Sequence, residues 1–143
     1  MIAKLLAQAR RLRAVIVLSS VALLPGVLPL QAREAWVAPP DTTESLNPFP
    51  ASSEIIAQGK AVYDRQCADC HGAKGRGDGA DAADLSVRPT NFTKREFTRQ
   101  SDGALFWKIT NGRKPMPGYS NKTSDQERWA VVHYLRSLES TKK

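Results

Sequence analysis

The stretch Cys67-Ala68-Asp69-Cys70-His71 decides how this sequence is interpreted. Two cysteines lie three positions apart, and a histidine follows the second one directly. Residues at positions i and i+3 share one side of a helical turn, so both thiols face the same way. The pattern C-x-x-C-H is the signature of covalent haem attachment. We therefore predict one covalently bound haem c, joined through Cys67 and Cys70, with His71 as an axial ligand of the iron.

Two other chemistries use cysteine pairs of this spacing. A C-x-x-C pair also forms a disulfide or a redox-active dithiol. A zinc site needs four ligands in a tetrahedral array, and the obvious Cys and His candidates are the three motif residues and His133. Because Cys70 and His71 are adjacent, they are poorly placed to chelate one tetrahedral ion. The sequence therefore favours haem over thiol redox chemistry and over zinc.

The positive charge of the chain is concentrated at its start. The formal charge is +7 over 143 residues, and residues 1–32 carry one lysine, three arginines and no acid. Removing that +4 from +7 leaves +3, and the remaining chain has no basic run or stripe. We therefore expect no nucleic-acid partner, despite the high pI. The length predicts a single domain with appendages.

Residues 1–32 have the organisation of a secretory signal peptide. Residues 1–13 are basic, residues 14–30 are mostly apolar and are interrupted by two prolines and a glycine, and Ala32 precedes the predicted cleavage site. The alternative is an uncleaved anchor, for which 17 residues interrupted by prolines are marginal. Both interpretations predict a periplasmic domain, either released or tethered to the inner membrane.

Residues 33–52 contain four prolines and few residues that form a core. We predict a Pro-rich linker there, or a strap over the domain that occupies residues 53–143. The first helix of that domain is expected to begin at Ser52 or Ser53 and to run into the haem motif. Gly59 lowers its helix propensity, which indicates that another helix crosses closely at this position.

The segment 72–100 is predicted to be irregular, with glycines at 72, 75, 77 and 79 that suit turns. It has neither the phosphate-loop signature nor the calcium-loop pattern. A metal-bound histidine usually donates its second ring N–H to a carbonyl or carboxylate. The carbonyl of Pro89 is our predicted acceptor for His71.

Two further helices are expected. One is predicted over Ser101–Thr110 and closed by Asn111-Gly112. The last begins near Thr123 or Ser124, because a glutamine or glutamate three positions after either residue completes a capping box.

Between these helices lies Lys114-Pro115-Met116-Pro117-Gly118-Tyr119, in which prolines stiffen the backbone around one methionine. The only other methionine is Met1, which is lost with a cleaved leader. A lone methionine is usually core filler, but this rigid placement downstream of a haem motif favours Met116 as the second axial ligand. His133 is the rival, and its position in the middle of a helix favours ordinary packing.

Taken together, these residues resemble the class I monohaem cytochromes c. The motif at 67–71 is followed by Pro115-Met116-Pro117, and the resemblance covers Glu54 to Leu138. It implies an all-α cytochrome c fold, with three to four helices around one covalently bound haem c, and His71 and Met116 as axial ligands. It also implies a contact between the first and last helices, at positions matched by Gly59, Tyr63, Val131 and Tyr134.

Filling both axial positions leaves the iron only electrons to exchange, so the predicted function is electron transfer between redox protein partners rather than enzymatic catalysis. One alternative is a fixed cytochrome subunit of a membrane oxidase or dehydrogenase complex. Another is a haem enzyme or gas sensor with an open distal site. Basic residues around the haem edge would steer acidic partners, or would simply keep the protein soluble. They are Lys74, Arg76, Arg113, Lys114 and Lys122.

Overall fold

The computed structural model describes residues 34–140, with side chains to residue 138. Within this range the regular structure is helical, and Arg113 and Met116 form an isolated antiparallel bridge. The helices are α1 (Pro40–Thr43), α2 (Ser53–Gln66), α3 (Ala68–His71), α4 (Arg95–Thr98), α5 (Asp102–Asn111) and α6 (Asp125–Ser140), with a 3-10 turn at Ala80–Asp84. The prediction of an all-α fold is confirmed.

The leader predicted at residues 1–32 lies outside the described residues. Within residues 34–140, no helix is both long enough and apolar enough to cross a membrane. The division into leader, strap and domain stays a prediction.

Helices α2 and α5 begin at the serines that the sequence indicates, and α5 runs one residue beyond the predicted Thr110, to Asn111. The Ser52 hydroxyl accepts a hydrogen bond from the Ile55 N–H at 3.2 Å, and the Ser101 hydroxyl accepts one from the Ala104 N–H at 3.2 Å. Each serine thereby satisfies a backbone donor that has no partner within the helix. Gly112 ends α5 with a φ of 67°, a left-handed conformation that favours glycine.

Helix α6 begins with a reciprocal capping box. The Ser124 N–H donates to the Glu127 carboxylate at 2.9 Å, and the Glu127 N–H donates to the Ser124 hydroxyl at 3.2 Å. Of the two predicted boxes, the structure therefore uses the one that begins at Ser124. The Thr123 hydroxyl instead donates to the Tyr119 carbonyl at 3.0 Å.

The core is built where α2 crosses α6, and Gly59 lies at the crossing. A Cβ atom on Gly59 would lie 2.0 Å from the Ala130 carbonyl oxygen, so the two backbones meet without a side chain between them. One turn further along α2, the fully buried Tyr63 ring packs 5.0 Å from the Tyr134 ring, centroid to centroid. The close crossing predicted from Gly59 is confirmed, and it fixes the direction in which α2 leads to Cys67.

Residues 35–52 lie against the helices rather than away from them. The Asn47 amide donates to the Trp129 carbonyl of α6 at 3.1 Å. Helix α1 covers the start of α5, where a Cβ atom on Gly103 would lie 2.0 Å from the Thr42 carbonyl oxygen. Because of these contacts, we call residues 35–52 the strap.

The substitution Gly59→Ala should destabilise the holoprotein by about 2–3 kcal/mol, because the new methyl group meets backbone atoms of α6 that cannot rotate away. The measurement is the free energy of unfolding in denaturant. Gln58→Ala is the matched control, since Gln58 is exposed on the same helix, and it should change stability by less than about 0.5 kcal/mol. Equal effects of the two substitutions would contradict the crossing.

Candidate functional site

The motif Cys67–His71 occupies the junction between α2 and α3. The Cys67 backbone leaves the helical conformation, with φ −125° and ψ −30°. Its N–H still donates to the Tyr63 carbonyl at 2.8 Å, and its carbonyl accepts the His71 N–H at 2.8 Å. Because both bonds continue the helical ladder, Cys67, Cys70 and His71 are held on one turn. The helical spacing predicted for the two thiols is thus present.

The environment of the thiols disfavours redox chemistry between them. Both cysteines are unpaired and half-buried. Burial, together with the nearby Cys70, raises the pKa of Cys67 to about 12. Burial and the carboxylates of Asp81 and Asp69 raise the pKa of Cys70. Reactive dithiols have lowered pKa values, because the thiolate is the nucleophile, so these two sulfurs stay protonated at neutral pH.

The His71 ring is fixed by a carbonyl on one side and an aromatic ring on its face. Its Nδ1 donates to the Thr90 carbonyl at 3.2 Å, which leaves Nε2 as the nitrogen for a metal. The predicted acceptor, Pro89, is wrong by one residue. The Pro89 carbonyl instead packs against Gly77, where a Cβ atom would lie only 2.4 Å from the oxygen. Burial lowers the pKa of His71, although the Thr90 hydrogen bond opposes this, so the neutral ring that ligates metals is favoured.

Phe92 stacks on the His71 ring, with centroids 4.5 Å apart and planes inclined by 21°. Phe92 is itself buried and lies 4.9 Å from the Phe97 ring. The contact restricts rotation of the imidazole about its bond to Cβ. Sequence reasoning missed Phe92, because the segment that carries it has no hydrophobic periodicity to assign a face.

The loop after the motif returns to cap α3. The Gly77 N–H donates to the His71 carbonyl at 2.8 Å, and the Gly79 N–H donates to the Cys70 carbonyl at 3.2 Å. The Gly72 carbonyl accepts the Tyr63 hydroxyl at 2.6 Å. Carbonyls at a helix end need partners outside the helix, and this loop supplies them. The predicted turns in this segment therefore serve to hold the haem motif in shape.

Met116 lies in a loop that is closed on itself. The backbone N–H of Arg113 donates to the Met116 carbonyl at 3.0 Å, and the Met116 N–H donates back to the Arg113 carbonyl at 3.0 Å. Met116 is half-buried and packs against the hydrophobic core, as Cys67 does. The thioether is thus carried on a backbone with little freedom.

Tyr119 ties the Met116 loop to the haem motif. Its hydroxyl donates to the carbonyl of Gln66, the residue before Cys67, at 2.7 Å. Its N–H donates to the Ile109 carbonyl of α5 at 3.0 Å. Burial raises the pKa of Tyr119 to about 12, so the phenol stays protonated and able to donate. Tyr119 was also missed, although its position three residues after the candidate ligand was a usable signal.

The rival ligand His133 is engaged elsewhere. Its Nε2 donates to the Phe49 carbonyl of the strap at 2.8 Å. The ring is half-buried on α6 and thereby joins the strap to the core. This placement agrees with the prediction of ordinary packing for His133.

These groups fit a covalently attached haem. Two protonated thiols three residues apart are available for thioethers, and the neutral His71 ring has one nitrogen left for iron. The same residues make a poor zinc site, because zinc binds thiolates in a tetrahedral group. Within residues 34–140, no group of three or more His, Cys, Asp or Glu side chains is arranged to hold a metal ion.

A helical fold with this motif defines a c-type cytochrome, a class of electron carriers and oxidase subunits. Comparison with known families agrees. Residues 54–135 match the family model described as cytochrome C oxidase, cbb3-type, subunit III. Because the match spans more than half of the chain, the chain belongs to this family of c-type cytochrome domains, for which the cofactor is a covalently bound haem c.

Three similar proteins illustrate the range of relatives. The cbb3-type cytochrome c oxidase subunit CcoP of Azospirillum sp. strain B510 is 31% identical, over 68% of this chain and 33% of its own length. Cytochrome c550 of Pseudomonas aeruginosa is 28% identical, over 85% of this chain and 86% of its own. A chain of the Kuenenia stuttgartiensis reducing HAO-like protein complex Kustc0457/Kustc0458 superposes with a TM-score of 0.58 and 33% identity, covering 64% of this chain and 46% of that one. The chain thus spans about a third of CcoP.

Removing the Tyr119 hydroxyl should loosen the link between the Met116 loop and the motif. Tyr119→Phe leaves the Gln66 carbonyl without its partner, so we expect a loss of about 1–2 kcal/mol in the free energy of unfolding of the holoprotein. Tyr134→Phe is the control, because no hydrogen bond joins its hydroxyl to the described residues. A Tyr119→Phe protein as stable as the control would show that this hydrogen bond contributes nothing.

Proposed function

We propose that the protein carries single electrons in the periplasm, with one haem c attached through Cys67 and Cys70 and held between His71 and Met116. The observation that supports this most directly is the hydrogen bond from Tyr119 to Gln66. It joins the loop that bears the thioether to the residue that precedes the first motif cysteine. The two candidate axial ligands are therefore parts of one connected structure.

His71 would serve as the first axial ligand through Nε2. The Thr90 carbonyl fixes the tautomer by accepting the proton on Nδ1, and Phe92 fixes the plane of the ring. A metal-bound histidine is ordinarily oriented by such an outer partner, which also raises the basicity of the ligating nitrogen. The two contacts together would hold the imidazole in one orientation.

Met116 would supply the second axial ligand as a thioether. Its loop is closed by the paired bonds to Arg113, which restrict the backbone that carries the sulfur. If His71 and Met116 both bound the iron, no position would be left for oxygen or a substrate, and this would separate an electron carrier from a haem enzyme or gas sensor. The bound haem supplies a one-electron iron couple whose potential a methionine and histidine pair raises.

Rigid ligand supports suit this role. An electron carrier has to present nearly the same geometry in both oxidation states, since any rearrangement adds to the barrier for transfer. His71 and Met116 are each held by at least two contacts to different parts of the fold. The exposed basic side chains of Lys74, Arg76 and Lys122 would guide an acidic redox partner to the protein.

Met116→Ala tests the ligation. We expect loss of the methionine–iron absorption band of the ferric protein, ready binding of carbon monoxide to the ferrous protein, and a reduction potential lower by on the order of 0.1 V or more. His133→Gln is the control, because Gln keeps a donor for Phe49, and all three properties should match the wild type. A wild-type protein without the band, together with carbon monoxide binding and a lowered potential in the His133 variant but not in the Met116 variant, would make His133 the ligand.

A fixed subunit of a membrane oxidase is the second candidate. The family model and the CcoP relatives favour it, whereas the cytochrome c550 relative matches over most of both chains and favours an independent carrier. The basic and apolar residues 1–32 support export in either case. The two candidates differ in whether the leader is removed.

The native protein, purified from fractionated cells, should be found in the periplasmic fraction. Its intact mass should correspond to residues 33–143 plus one haem that survives denaturation. Retention of residues 1–32 in the membrane fraction, with oxidase subunits that copurify, would favour the fixed subunit. A mass without haem would refute the covalent cofactor.

A further inference from the structure

The strap covers the helices and also contacts the Met116 loop, through Trp36 near its start. Ala38 is buried, with 4% of its surface exposed. Further along, α1 packs on the start of α5 at Gly103, and the Phe49 carbonyl accepts the His133 ring N–H at 2.8 Å. The strap is therefore anchored along α5 and α6, which holds Trp36 in place at its far end.

Trp36 is half-buried, and two cations lie close to its ring. The Lys108 ammonium lies 5.4 Å from the centre of the indole ring, and the Arg113 guanidinium lies 5.1 Å from it. Burial and the nearby Arg113 both lower the pKa of Lys108, which shows that the two positive charges are crowded together. An aromatic face attracts cations, so the indole offsets the repulsion between them.

Arg113 is the residue whose backbone pairs with Met116. The two hydrogen bonds of 3.0 Å that join Arg113 and Met116 close the loop around the candidate ligand. Arg113 lies just after Gly112, beyond the last turn of α5, so the hydrogen bonds of that helix do not fix its backbone. A contact that holds the Arg113 side chain therefore also holds the start of the loop.

We infer that Trp36 is a positioning residue for Met116. The ring holds Arg113, Arg113 holds the backbone of Met116, and the strap thereby braces the bond between the thioether and the iron. The inference rests on the Met116 ligation proposed above and assigns the strap a part in it. Without the indole, the loop opens more often and the sixth position becomes accessible to other ligands.

The test is the affinity of imidazole for the ferric holoprotein, because imidazole must displace Met116 to bind. Apparent affinity rises with the fraction of molecules in which the loop is open. Trp36→Ala should bind imidazole about two- to fivefold more tightly than the wild type, as expected from losing the cation–π contact with the exposed Arg113 side chain. Trp36→Phe keeps an aromatic face, and its imidazole affinity should lie closer to that of the wild type than to that of Trp36→Ala.

Two further variants show whether Trp36 acts through Arg113. Arg113→Gln should raise imidazole affinity to a similar extent, and adding Trp36→Ala to it should have no further effect. Lys108→Gln is the matched control, because Lys108 also faces Trp36 but no backbone hydrogen bond joins it to Met116. Its imidazole affinity should be that of the wild type.

Three results would overturn the inference. An unchanged imidazole affinity in Trp36→Ala, with the methionine–iron band present in the wild type, refutes the brace and leaves the ligation intact. Additive effects of Trp36→Ala and Arg113→Gln show that Trp36 acts by another route. A wild-type protein that lacks the band refutes the Met116 ligation and the brace together.

Discussion

The contact between the bare backbones of Gly59 and Ala130 is the constraint on which the rest of the molecule depends. No side chain separates α2 from α6 there. The backbones themselves therefore fix the crossing angle and the point along each helix at which the two meet. Tyr63 then inserts beside Tyr134, and Cys67 follows one turn later. A helix that could slide or tilt at this point would carry the haem motif with it.

From that fixed turn, the two candidate ligands are supported by different means. His71 is part of the motif and needs only its ring oriented, which Thr90 and Phe92 do through one hydrogen bond and one stacked ring. Met116 belongs to a distant loop that must be brought to the motif and closed there. Backbone pairing closes it, and the Tyr119 hydroxyl brings it to Gln66. Met116 therefore relies on contacts between residues that are far apart in the sequence.

This difference also explains what could be predicted from the sequence. Serine caps, the box at Ser124 and the glycine crossing at Gly59 were predictable, because each depends on residues close in sequence or on an unusual residue within a helix. The carbonyl partner of His71 was misplaced by one residue, and Phe92 was missed. Both lie in an irregular segment whose path depends on contacts that no local pattern encodes.

The core itself indicates why such long-range contacts are needed. Among the described residues, the largest fully buried side chains are Tyr63 and Val132, both at the crossing of α2 and α6. Cys67 and Met116 lie at the edge of this core and are only half-buried. Because a small domain buries a smaller share of its surface than a large one, an apolar macrocycle joined at Cys67 would add to the core at this edge. Under the proposed ligation, contacts that close the Met116 loop would stabilise both the ligand and the fold, because the same cofactor would complete both.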